Sequence, residues 1–265
     1  MFTIGGTSNR GFYSFEPTGS LRFEDGDIPY LERTPSSAGN KKTFTISLWT
    51  KVGNRGVWKY LIAAGTSNNG GQRAWVAIDG SDRVYFQIGD SSANTSRYYI
   101  TSAKFRDPTA WYHIVLVVDT TRANSHNSTE GTNRVELYVN GEFISWNTAT
   151  NAVGQNYNNG LFNAATNHYI GTDHLGKSGS TNTWDGYMAE IFFIDGTAHD
   201  ADDFGELKNG VWMPKDAKGD LTFGTNGFYL PFNSTVTAEG QSTVLYEGTS
   251  ANRSVEGFGY KPDLI

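Results

Sequence analysis

The fold is decided by the stretch Trp111-Tyr112-His113-Ile114-Val115-Leu116-Val117-Val118-Asp119. Two runs of the same kind follow it, at residues 135–142 and at residues 186–196. Each run has the length of a β-strand, is rich in β-branched or aromatic side chains, and is bounded by Asp, Asn or Gly. Together the three runs predict a β-sandwich, in which function must lie in the loops or on the outer faces of the sheets.

Shorter runs elsewhere extend this prediction to an all-β protein with one short helix. Residues 43–52 alternate between apolar and polar side chains, as a strand with one buried face does. Asn140-Gly141 is the strongest hairpin signal of the chain, because both residues tolerate a positive φ. The helix is predicted near residues 201–209, where it ends at Gly210.

No linker, repeat or low-complexity tract divides the sequence, which predicts a single folded domain. We place an N-terminal arm at residues 1–20 and the sandwich at residues 21–232. A C-terminal tail at residues 233–265 is expected to pack on the sandwich or to extend from it.

Composition excludes several classes of protein. The chain has 265 residues, a net charge of −6 and no cysteine, so thiol catalysis, cysteine-based zinc sites and disulfides are absent. No basic stripe is present to neutralise phosphates, which argues against nucleic-acid binding. The longest aliphatic run, residues 114–118, is too short to cross a bilayer. Residues 1–6 do not resemble a signal peptide, so we expect synthesis and use in soluble form, without secretion.

The sequence does not predict an enzyme. A retaining glycoside hydrolase needs two carboxylates on one face, but Glu190 and Asp195 are five residues apart and should face opposite sides of a strand. Residues 171–178 match a phosphate-binding loop, yet loop and strand follow where that chemistry needs a helix. A hydrolase whose carboxylates meet from distant loops is the alternative.

Four strand motifs carry a resemblance to a known family. They are Thr45-Ile46-Ser47-Leu48-Trp49, Trp111-Tyr112-His113-Ile114-Val115, Leu137-Tyr138-Val139-Asn140-Gly141 and Tyr169-Ile170-Gly171. In order and spacing they resemble the laminin-G-like and pentraxin-like branch of the concanavalin A-like sandwiches. The resemblance implies a two-sheet antiparallel jelly-roll sandwich and is specific for fold, not for function.

The same resemblance raises the question of calcium, which many of these relatives bind at the rim of the sandwich. The matching positions are Asn68 and Asn69 after an early strand, and Asp173 and His174 after the Ile-Gly strand. Both pairs carry less negative charge than the family pattern, and calcium affinity depends on the number of carboxylates. We therefore expect no cofactor; if calcium is bound, Asp173 and Asp185 should hold it.

Sugar binding is the second function that such a rim supports, through stacking on aromatic rings and hydrogen bonds to hydroxyl groups. The alternative for any single ring, Trp58 included, is a place in the core. The candidate ligand-binding residues are Asn68, Asn69, Trp75, Trp146, Tyr157, Asp173, His174, Trp184 and Asp185.

A narrower resemblance is to particle proteins of bacteriophages, notably marine ones. Similar segments occur at residues 21–23, 31–44, 189–196, 226–230 and 260–264. The resemblance implies a non-enzymatic protein of the virion surface, made in the host cytoplasm and acting in capsid decoration or in a fibre or spike. Its partners would be other virion proteins, further copies of itself and a host-surface glycan, but neither nucleic acid nor membrane. The alternative is a carbohydrate-active enzyme or a calcium-dependent lectin outside any virus.

Overall fold

A computed structural model describes residues 14–67, 72–89, 95–174 and 182–232. Over these residues the chain forms two antiparallel sheets packed face to face, with almost no helix, which confirms the predicted jelly-roll sandwich. The first described strand begins at Leu21. Residues 1–13 of the predicted arm and the whole predicted tail lie outside the described residues.

The first sheet contains all three runs that decided the fold. Its central strands are buried on both faces. The hairpin that joins Val135–Val139 to Glu142–Phe143 turns at Asn140-Gly141, with positive φ at both residues, as predicted. Its order over the described residues is β1 (Leu21–Phe23), β13 (Gly186–Asp195), β3 (Thr43–Val52), β8 (Tyr112–Asp119), β9 (Val135–Val139) and β10 (Glu142–Phe143), with β16 (Phe228–Leu230) also paired to β13.

The second sheet lies opposite and is built mainly from the middle of the chain. Its order is β11 (Trp146–Thr150), β7 (Arg97–Thr101), β6 (Val84–Ile88), β5 (Arg73–Ile78), β4 (Lys59–Gly65), β12 (His168–Ile170) and β2 (Leu31–Arg33).

The main core fills the space between the two sheets. Alternate residues of each strand point into it, for example Phe44, Ile46 and Leu48 of β3. Trp146 and Trp184 are also part of this core, with exposed fractions of 1% and 0%. The strand period of two therefore fixes which side chains remain for the outer faces.

The outer face of the first sheet is covered by the chain itself. Val115, Val117 and Phe192 point outwards and pack against residues 198–223, with Phe204 buried between. This covering layer contains a two-stranded hairpin, β14 (Gly205–Lys208) and β15 (Val211–Pro214). The central part of the first sheet is thus buried on both faces.

The predicted helix near residues 201–209 was wrong in extent. Only Ala201–Asp203 forms a 3₁₀ turn, and the chain continues into strand β14. Asn209 and Gly210 both have positive φ and connect β14 to β15, so the Gly that was taken to end a helix is part of a hairpin turn. The structure therefore follows the Asn-Gly hairpin signal, not the helix pattern.

Candidate functional site

The outer face of the second sheet carries one aromatic residue on each of four neighbouring strands. Tyr60 lies on β4, Trp75 on β5, Tyr85 on β6 and Tyr98 on β7. They point outwards because their strand neighbours, such as Ala74 and Val76 on β5, point into the core. We call this surface, together with Trp58 in the loop before β4, the aromatic face.

The rings of the aromatic face are in contact with one another. The ring centroids of Trp58 and Tyr85 are 5.0 Å apart, those of Tyr60 and Trp75 are 5.4 Å apart, and those of Tyr85 and Tyr98 are 5.4 Å apart. Trp75 and Tyr60 are exposed by 5% and 8% and form the floor. Trp58, Tyr85 and Tyr98 are half-buried and offer ring surface to solvent.

The phenol groups of Tyr60 and Tyr85 are neutral at physiological pH. Burial raises the pKa of Tyr60 to about 12, and the Asp173 carboxylate acts in the same direction. Burial also raises the pKa of Tyr85 to about 12. Both hydroxyl groups therefore keep their protons and are able to donate and accept hydrogen bonds.

One edge of the aromatic face is polar. The Cζ atom of Arg73 lies 4.9 Å from the ring centroid of Trp75, and the His174 ring lies 5.7 Å from the same ring. Burial lowers the pKa of His174, although Asp173 and the Ser67 backbone act in the opposite direction. His174 is therefore neutral at pH 7, with one nitrogen able to donate and the other able to accept.

Three candidate residues from the sequence come together at this edge, namely Trp75, Asp173 and His174. Asp173 is close enough to Tyr60 and His174 to influence the pKa of both. Asn68 and Asn69 lie outside the described residues.

The other aromatic candidates do not line this face, which corrects the prediction. Trp146 and Trp184 are core residues, and the Trp146 indole donates to the Val135 carbonyl oxygen at 3.1 Å. Large apolar rings next to polar loops were buried because the sandwich core needs their volume. Tyr157 is half-buried at another edge, where the Arg97 guanidinium lies 4.7 Å from its ring centroid.

The remaining candidate, Asp185, belongs to an acidic cluster with Glu24 and Asp25, whose carboxylate oxygens lie within 4.8 Å of one another. Arg22 donates to Asp185 at 2.8 Å and to Glu24 at 2.6 Å. Lys59 donates to Asp25 at 2.6 Å, and this contact lowers the pKa of Asp25. Two cationic side chains of the protein thus form ion pairs with the three carboxylates.

The two carboxylates of strand β13 have different surroundings. Glu190 lies at a β-bulge with φ 48° and accepts a hydrogen bond from the Tyr229 hydroxyl, and burial raises its pKa. Asp195 accepts from the backbone N–H groups of Asn40 and Asn226, at 2.8 and 3.0 Å. The two groups do not share a substrate-binding face, in agreement with the prediction from their spacing.

The candidate site residues predicted from the sequence do not include Tyr60, Tyr85, Tyr98 or Arg73. The available signal was the strand period, which places Arg73 on the same side of β5 as Trp75. The sequence did not indicate which sheet the covering layer of residues 198–223 would pack against. The position of this layer determines which outward side chains remain accessible.

The fold and the outward aromatic face define the class of the protein as a lectin-like β-sandwich. Residues 25–202, about two thirds of the chain, match the model of the concanavalin A-like lectin/glucanases superfamily, so the chain belongs to this family. No curated protein matches the sequence. None of the described helices is long and apolar enough to span a membrane.

Solved structures share the fold at low sequence identity. A heptameric SAP-like pentraxin from Limulus polyphemus is 14% identical, with a TM-score of 0.47 over 70% of this chain and 80% of the pentraxin. The CBM40 of Ruminococcus gnavus IT-sialidase, bound to α2,3-sialyllactose, is 13% identical, with a TM-score of 0.43 over 64% and 86%. Domains LG4-5 of the mouse laminin α1 chain are 12% identical, with a TM-score of 0.44 over 72% and 44%. At these identities the likeness concerns the fold alone.

Proposed function

We propose that the protein is a non-enzymatic glycan-binding protein and that the aromatic face is its binding site. One observation carries this proposal: residues 198–223 cover the centre of the outer face of the first sheet, while the outward cluster on the second sheet consists, among the described residues, of that sheet's own side chains and Trp58. Aromatic rings that contact one another and are still accessible are suited to stacking against sugar rings.

The face supplies both kinds of contact that a saccharide needs. Ring surface at Trp58, Tyr85 and Tyr98 packs against the apolar C–H side of a pyranose. The protonated hydroxyl groups of the tyrosines exchange hydrogen bonds with sugar hydroxyls. A rigid sheet holds these groups in place before binding, which keeps the entropic cost of binding low.

Tyr85→Ala is expected to weaken glycan binding about tenfold, because Tyr85 contacts Trp58, Trp75 and Tyr98 and forms the centre of the accessible rings. The measurement is a glycan array followed by calorimetry on the strongest ligand. Tyr187→Ala is the matched control, because Tyr187 is an exposed aromatic on the first sheet. Equal effects of the two variants would contradict the assignment of the site.

Removal of divalent cations by a chelator is expected to leave glycan binding unchanged within about twofold. The reason is that each carboxylate of the acidic cluster at Glu24, Asp25 and Asp185 already forms an ion pair with Arg22 or Lys59. Loss of binding in chelator that calcium restores would support the alternative of a calcium-dependent lectin.

The proposal that the protein is not an enzyme is supported by the ion pairs of the acidic cluster at Glu24, Asp25 and Asp185. A glycoside hydrolase needs one carboxyl group with a raised pKa as general acid. Lys59 instead lowers the pKa of Asp25, and Arg22 binds both neighbouring carboxylates. Release of reducing sugar from a bound polysaccharide is the result that would overturn this part.

The biological setting of the proposal is the surface of a bacteriophage particle, with several copies that contact other virion proteins and a host glycan. Its support is the resemblance of residues 21–44, 189–196 and 226–230 to segments of phage particle proteins. Mass spectrometry of purified particles tests it. Absence of the protein from particles would remove the virion setting and leave glycan binding to be judged by the array.

A further inference from the structure

The polar edge of the aromatic face contains buried polar atoms without partners. Within the described part of the chain, Nε of Arg73 and Nε1 of Trp75 are buried and make no hydrogen bond. Buried polar atoms in folded proteins are nearly always paired, so two such atoms on contacting side chains indicate that a ligand supplies the missing partners.

The charge at this edge is also not balanced by a direct contact. Arg73 takes part in no ion pair among the described residues, whereas Arg22 and Arg83 each hold a carboxylate, at 2.8 and 2.6 Å. Asp173 is the neighbouring acidic residue, and it influences Tyr60 and His174 without forming an ion pair with Arg73 in the same set of residues. An arginine always carries its charge, so its missing acceptor is best supplied by an anion.

His174 packs closely against the end of strand β4. Strand β4 ends at Gly65, and a Cβ atom at this residue would lie 2.8 Å from the Cβ of His174 and 3.0 Å from its Cδ2. The absence of a side chain at Gly65 thus allows the imidazole to pack between the end of β4 and the ring of Trp75. The contact with Gly65 thus fixes the position of the imidazole at this edge.

We propose that the glycan bound by the aromatic face carries a carboxylate or sulfate group, and that Arg73, with the indole N–H of Trp75, binds this group. The inference rests on the proposed function and adds the chemical class of the ligand. Trp75 connects the two parts of the site, because its ring lies 6.5 Å from that of Tyr85 and 5.7 Å from that of His174. A sugar ring stacked at Tyr85 therefore directs a charged substituent towards Arg73.

The test compares charged glycans with neutral forms of the same backbone, using the full chain and calorimetry. Oligogalacturonate is measured against its methyl ester, and a sulfated galactan oligosaccharide against its desulfated form. At least one charged form is expected to bind about tenfold more tightly than its neutral form. The pair that shows the difference identifies carboxylate or sulfate as the group recognised.

Arg73→Gln is expected to abolish the preference for the charged form, because the guanidinium that would bind the anionic group is lost. Arg97→Gln is the matched control, because Arg97 also lies on the second sheet over an aromatic ring, that of Tyr157. This variant should keep the preference. Thermal unfolding of both variants checks their folding.

Equal binding of charged and neutral forms by the wild-type protein would overturn the inference and leave the proposed function standing. A preference that survives Arg73→Gln in a folded variant would overturn it as well. Binding of no glycan, neutral or charged, would overturn both the inference and the proposed function. If Arg73→Gln does not fold, the wild-type comparison of charged and neutral forms decides the inference by itself.

Discussion

Acidification from pH 7 to pH 5 is expected to lower the free energy of unfolding by about 2 kcal/mol through one side chain, His113. Burial lowers the pKa of His113 from its ordinary 6.5 to about 3. Between these two values the unfolded chain binds a proton that the folded chain does not bind. The stabilisation is therefore complete above pH 6.5 and is lost as the pH falls towards 3.

The surroundings of His113 explain why it stays neutral. Its Nδ1 accepts a hydrogen bond from the Trp212 indole at 2.9 Å, so its proton is on Nε2, which lies 2.8 Å from Oγ of Ser47. The ring is stacked against Trp49, with 4.8 Å between the ring centroids. Protonation of Nδ1 would place two donors against each other in a site without water-exposed surface.

Denaturant unfolding at pH 7, 6 and 5 measures this effect. His168, whose pKa burial lowers to about 4, changes stability in the same direction, so the contribution of His113 is isolated with His113→Gln. This variant should lose about 2 kcal/mol of the change in stability between pH 7 and pH 5. An unchanged pH dependence in His113→Gln, or an imidazole NMR signal of His113 that titrates near pH 6.5, would contradict the prediction.

The fold was predictable because its signals are local. The run at residues 111–119 became strand β8, and Asn140-Gly141 became a hairpin with positive φ at both residues. The helix prediction near residues 201–209 failed because a few acidic residues after Asp200 resemble a helix start. Burial of Phe204 against the first sheet and the turn at Asn209-Gly210 decided the conformation instead.

The candidate site was only partly predictable, because it depends on contacts between distant parts of the chain. Trp75 and His174 were found from their aromatic and polar character, and the structure brings them together. The sequence did not predict Tyr85 and Tyr98 as site residues, since their accessibility depends on which outer face the covering layer of residues 198–223 packs against. Trp184 was misassigned for the same reason, because next to a polar loop an interior ring and a surface ring look alike in a sequence.

Trp212→Ala is expected to lower the free energy of unfolding by about 3 kcal/mol or more. Trp212 attaches the hairpin β14–β15 to the first sheet, and its ring fills the space over Gly141 and Gly205. A Cβ atom at these glycines would lie 2.4 and 2.6 Å from atoms of the ring. Loss of the indole leaves a cavity there, and it also leaves Nδ1 of the buried His113 without its donor.

Denaturant unfolding of three variants separates these contributions. Trp212→Phe keeps most of the ring and removes the N–H donor, so it should cost about 1–2 kcal/mol. Leu207→Ala, at an exposed position of the same hairpin, should change stability by less than about 0.5 kcal/mol. A large loss for Trp212→Ala means that the covering layer is an integral part of the sandwich and closes the outer face of the first sheet. A loss no larger than that of Leu207→Ala would mean that the layer is loosely attached and does not keep this part of the first sheet closed.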